Sequence, residues 1–110
     1  MDRTKVKDLI DELEAEVNNG GFDQYLYNSA GDNTAETIEA LEAVGALRMA
    51  DIVRRAAAKF PGGMPPKERF ARQDLLLDHI AEPEVFRELD DEFYKYPDDL
   101  GDLLKTYNAH

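Results

Sequence analysis

The chain has no cysteine and no tryptophan, two histidines, and little more than half as many basic as acidic residues. Without cysteine there are no disulfides, thiol nucleophiles or thiolate metal sites. The histidines are His79 and the terminal His110, so chemistry that needs a cluster of imidazoles is excluded. No apolar run approaches the roughly 20 residues of a membrane-spanning helix. The opening stretch MDRTKVKDLIDELEAE has no apolar signal core, so no secretory signal is expected. The phosphate-binding P-loop, the Rossmann glycine pattern, the G-x-S-x-G elbow and H-E-x-x-H are all missing. A cytoplasmic protein fits these absences.

What is present is acid. With 24 Asp and Glu against 13 Lys and Arg, 110 residues carry a net charge of −11. Such a chain is repelled by nucleic acid and by anionic lipid, and it attracts basic partners. The charge is segregated. Residues 1–20 carry a net −3, 21–45 carry −5 with no base at all, 46–81 carry +3, and 82–110 carry −6. A basic middle between acidic flanks implies that part of the acid pairs internally, or across a homodimer.

The length suits one domain, residues 1–110, and the hydrophobic periodicity is helical throughout. Val6, Leu9, Ile10, Leu13 and Val17 place a helix at 2–18, capped by Asp2 and stopped at Asn18-Asn19-Gly20-Gly21. Phe22, Tyr25 and Leu26 share a face of a short second element. A third helix begins near Asn33, with Glu36 three residues on as a capping box, and ends or bends at Gly45. A fourth spans about 47–59. Pro61-Gly62-Gly63-Met64-Pro65-Pro66 is a loop. A fifth spans about 67–80, with Phe70, Leu75–Leu77 and Ile80 inward. A sixth spans about 83–95, with Pro83 in its first turn, and a last helix is capped by Asp98. The expected fold is all-α, six or seven short helices in one compact domain.

Few residue groups offer chemistry. Asp78, His79 and Glu82 could meet on a helix surface, but no second histidine completes a metal site. Asp90-Asp91-Glu92 and Asp98-Asp99-Gly101-Asp102 lack the loop pattern of a calcium site. No catalytic residue, metal or cofactor is therefore expected. The acids are more informative as rows. Asp8, Glu12 and Glu16 recur every four residues, which on a helix is one negative charge per about 6 Å. Glu36, Glu39 and Glu42 form a second row. Backbone phosphates of one DNA strand advance about 3.4 Å. Two adjacent acidic helices therefore approach the charge density of a phosphate backbone.

The run Asn18-Asn19-Gly20-Gly21-Phe22-Asp23-Gln24-Tyr25-Leu26-Tyr27-Asn28-Ser29, then Gly31-Asp32, then Ala40-Leu41-Glu42-Ala43-Val44-Gly45-Ala46, resembles the bacterial DNA-mimic protein family. Phe60-Pro61-Gly62-Gly63, Arg69 to Arg72, Phe86 to Tyr94 and Leu103 to Tyr107 extend the likeness over about 5–107. The resemblance implies an all-helical fold. It also implies an acidic surface that occupies the DNA-binding face of a DNA-binding protein, with no direct contact to nucleic acid or membrane. On that reading Asp8, Glu12, Glu16, Glu36, Glu39, Glu42, Asp90, Asp91, Asp98, Asp99 and Asp102 stand in for phosphates. The motif residues Gly20, Gly21, Phe22, Gln24, Tyr25, Asn28 and Gly45 read as determinants of the fold. Gly20 and Gly21 permit a tight reversal, Phe22 and Tyr25 pack the corner, and Gln24, Asn28 and Asp32 satisfy helix-end backbone groups. Two other functions fit the composition: an immunity- or antitoxin-type inhibitor of one cognate protein, and a small-ligand or enzyme domain built on Tyr25, Asn28 and His79.

Overall fold

A computed structural model describes residues 1–78, 82 and 84–109. Among them are six α-helices and no strand: α1 (Arg3–Tyr27), α2 (Thr34–Ala43), α3 (Leu47–Ala57), α4 (Arg69–Asp78), α5 (Arg87–Tyr94) and α6 (Leu100–Asn108). Short 3-10 segments at Ser29–Asn33 and Pro61–Gly63 link them. The all-α fold is the expected one. His79 and His110, the Ile80 core assignment and the Pro83 first-turn assignment lie outside the described residues.

α1 is two arms, because Gly20 and Gly21 both have non-helical backbone. Gly21 sits at φ 73°, ψ −173°, a region open essentially only to glycine. The second arm turns back along the first. Twelve helical residues would separate Glu16 from Asn28 by about 18 Å on a straight helix, yet the Asn28 amide reaches the Glu16 carboxylate at 3.2 Å. Val6, Leu9, Ile10, Leu13 and Val17 are all buried, as their spacing requires. Asp2 caps the helix by accepting the Lys5 N–H at 2.8 Å.

Gly45 ends α2 with φ 86°. Its N–H bonds to the Glu42 carbonyl and the Ala46 N–H to that of Leu41, the paired bonds of a Schellman ending. The expected capping box at its start is not formed. Asn33 makes no side-chain cap bond, and Glu36 instead meets Lys67 at 2.7 Å. Asp99, not Asp98, caps α6 through the Asp102 N–H. The helix expected at about 83–95 is α5 and starts later, at Arg87.

The core is one cluster built from every helix, with α1 at its centre. Phe22 lies edge-on to Phe93 at 5.8 Å, and Phe93 edge-on to Tyr96 at 5.5 Å, favourable geometries for aromatic quadrupoles. Two residues expected in the core are not there: Phe70 is 72% exposed and Leu77 62%. α4 is seated instead through Leu76 and the fully buried Arg72, one turn apart on the opposite stripe. The Arg72 guanidinium reaches five oxygens: the carbonyls of Leu26, Asn28, Pro66 and Lys67, and the Asp32 carboxylate at 2.7 Å. A buried guanidinium is stable only when so matched.

Candidate interaction surface

The acids divide by what they touch. Four ion pairs join different parts of the chain: Arg54 with Glu42, Arg55 with Glu92 at 2.7 Å, Lys67 with Glu36, and Arg72 with Asp32. In each, the base comes from the basic middle segment and the acid from a flanking one. The sequence-level segregation of charge is thus partly cancelled inside the molecule. Arg55 also meets Asp51 and holds the Glu92 carboxyl below its ordinary range, through hydrogen bonds first and charge attraction second.

Other acids serve the backbone. Asp90 accepts the Phe22 N–H at 2.8 Å, the first free donor beyond the α1 break. Burial is the main influence on its carboxyl and pushes its pKa up; the Phe22 bond opposes this, and Asp91 and Asp23 add to it. Asp98 accepts the Met49 N–H at 2.9 Å, capping α3, whose own cap residue Ala46 has no side-chain acceptor. Asp99 caps its own helix. Glu16 is half-buried and accepts the Gln24 and Asn28 amides at 2.5 and 3.2 Å.

What remains is a smaller set. Asp8 and Glu12 on α1, Glu39 on α2, Asp91 on α5 and Asp102 on α6 are exposed. Their carboxylates have no hydrogen-bond or ion-pair partner among the described residues. Asp8 and Glu12 stand one helical turn apart on the first arm of α1, so two like charges sit about 6 Å apart in solvent. The row Glu36, Glu39, Glu42 keeps only its middle member unpaired. Sequence reasoning could not separate these groups, because a carboxylate bound to a distant N–H has the same local spacing as one facing water.

The motif residues are joined to one another and to the fold. Asn19 donates to Gln24 at 3.0 Å, and Asn18 donates to the Tyr96 hydroxyl at 2.8 Å. That hydroxyl in turn donates to Glu14 at 2.9 Å. The Tyr94 hydroxyl donates to the Val17 carbonyl at 3.0 Å. Gln24 and Asn28 bind Glu16 rather than helix-end backbone groups, and Asp32 binds Arg72. Tyr25 is buried, its hydroxyl donating to Thr37 at 3.1 Å. Tyr25 is thus tied to Thr37 and Asn28 to Glu16, while His79, the third residue of the alternative ligand site, lies outside the described residues.

The fold and surface define a small acidic all-helical domain whose exposed chemistry is carboxylate. The profile of the DMP19-like protein family matches residues 5–110, and the chain belongs to that family. DMP19 stands for DNA mimic protein 19. Membership suggests a DNA-mimic role and a partner that itself binds DNA, in a family that is generally non-catalytic. Neither curated proteins nor solved structures provide a match. No helix among the described residues is long and apolar enough to cross a membrane.

Proposed function

We propose that this protein is a non-enzymatic DNA mimic that occupies the DNA-binding face of a basic protein. The observation that carries the proposal is the division of its acids. Four of the seven bases of the middle segment, Arg54, Arg55, Lys67 and Arg72, are consumed in internal pairs, and Asp8, Glu12, Glu39, Asp91 and Asp102 are left facing solvent without a cation. The helices that carry these carboxylates are already ordered, so a partner's Lys and Arg meet them with no cost for ordering their backbone. Glu36 and Glu42 contribute less, because each already has a base. Asp90, Asp98, Asp99 and Glu16 hold the helices that display the others.

The test is capture on immobilised protein from a bacterial lysate at low and high salt, followed by challenge with duplex DNA. A captured DNA-binding protein that is released by either salt or duplex supports mimicry. A captured protein that duplex DNA does not displace sinks it.

A further inference from the structure

One helix face is used neither by the core nor by the proposed phosphate-mimicking acids. α4 is anchored through Arg72 and Leu76, and its outer face carries Phe70, Asp74, Leu77 and Asp78. Offsets of four and seven residues align Phe70, Asp74 and Leu77 on one stripe, with the carboxylate between the two apolar groups. The second arm of α1 ends beside it, since the Gln73 amide donates to the Tyr27 carbonyl at 2.8 Å. Tyr27 is 45% exposed, and Asp23 lies one turn before it on the same arm.

Two large exposed hydrophobics, Phe70 and Leu77, thus share one helix face with the exposed carboxylates Asp74 and Asp78, and exposed Tyr27 and Asp23 lie on the neighbouring arm. Asp23, Asp74 and Asp78 have no ion-pair partner among the described residues. Phe70 is 72% exposed, and apolar groups clustered beside carboxylates mark interaction surfaces; Arg69 is the one exposed base of the helix. We infer that this face docks a basic amphipathic segment of the partner, apolar side chains seated on Phe70, Leu77 and Tyr27 and Lys or Arg against the carboxylates. A second copy is the poorer occupant. A two-fold interface sets the same patch against itself, and six carboxylates would then share one desolvated contact. The inference rests on the acidic-binder reading and extends it. Phosphates offer no aromatic surface, so this face lets the protein discriminate among basic proteins that charge alone would treat alike.

The probe is a short fluorescein-labelled Lys/Arg-rich helical peptide carrying two leucines, compared with the same peptide carrying serines in their place. Anisotropy titrations at two salt concentrations use wild-type protein and the Phe70→Ser/Leu77→Ser variant. Circular dichroism melting confirms that the variant is folded. The leucine peptide should bind wild type about tenfold more tightly than the serine peptide. The variant should lose that difference and keep the salt-dependent attraction common to both. Leu77 methyl resonances should shift on binding. Equal binding of the two peptides to wild type overturns the α4 inference and leaves the acidic-binder reading standing, whereas no binding of either peptide at low salt defeats both. Sedimentation showing a dimer that the double substitution dissociates would overturn it in favour of self-association.

Discussion

Asp90 and Phe22 are 68 residues apart in sequence, and one oxygen of the Asp90 carboxylate accepts the Phe22 backbone N–H at 2.8 Å. A helix start leaves its first N–H groups unpaired, and they are usually satisfied by a residue next door. Here the break at Gly20-Gly21 leaves no side chain at the adjacent positions, so α5 supplies the acceptor. The restarted arm and α5 are thereby held together by a polar bond as well as by the Phe22–Phe93 contact.

Substitution of Asp90 should separate hydrogen bonding from charge. Asp90→Ala leaves the part-buried Phe22 N–H without an acceptor and should cost about 1–3 kcal/mol. Asp90→Asn keeps an acceptor and should cost much less at neutral pH. The pH dependence follows from the raised carboxyl pKa. The folded state holds this proton more tightly than the unfolded chain does. Asp90 therefore adds stability below the unfolded pKa and loses that contribution as pH rises through the folded one. Melting curves of wild type and Asp90→Asn should converge as pH falls into that window and separate above it. Parallel curves would show that Asp90 titrates alike in both states.

Gly21 and Gly45 both have positive φ, but their surroundings differ. A Cβ at Gly21 would lie 2.5 Å from the Asp90 carboxylate, whereas one at Gly45 meets nothing within 4 Å. Gly45→Ala should cost about 1–2 kcal/mol, the strain of a left-handed alanine. Gly21→Ala adds displacement of Asp90 and should cost more, about 2–4 kcal/mol. Denaturant midpoints of the two variants give the order directly, and the reverse order would contradict the close approach.

Arg72 is fully buried, and its guanidinium is bonded to five oxygens. Arg72→Ala opens a cavity and strips partners from the carbonyls of Leu26, Asn28, Pro66 and Lys67. The expected loss is about 3–5 kcal/mol, a large share of the stability of a domain this size. Urea unfolding should show it. A loss under about 1 kcal/mol would mean that water replaces the guanidinium without penalty.

Asp8 and Glu12 should behave in the opposite way. Both are exposed and unpaired, so Asp8→Lys with Glu12→Lys should change stability by no more than a few tenths of a kcal/mol, since one like-charge pair along α1 is exchanged for another. The same variant should bind the captured partner less tightly and with a flatter dependence on salt. Undiminished affinity and slope would remove α1 from the proposed contact surface.

Much of the molecule was legible from local pattern. The α1 stripe, its Asp2 cap, the reversal at Gly20-Gly21, the end of α2 at Gly45 and the all-helical class follow from side-chain spacing and from backbone freedom at glycine, which act within a turn or two. The segregation of charge along the chain was legible as well. What the spacing could not decide was which stripe of a helix faces inward. α4 offers an apolar pair, Phe70 and Leu77, yet it is seated by Arg72 and Leu76, because four carbonyls and Asp32 converge where Arg72 lies. Nor could it decide which acids are spent. Glu36, Glu42 and Glu92 are paired, and Asp90 and Asp98 cap helices, only because folding brings them to bases and N–H groups 12 to 68 residues away. A carboxylate's local sequence fixes its position on a helix. Whether it meets a cation, a backbone donor or water is settled by long-range packing, and that decided which acids were left to face solvent.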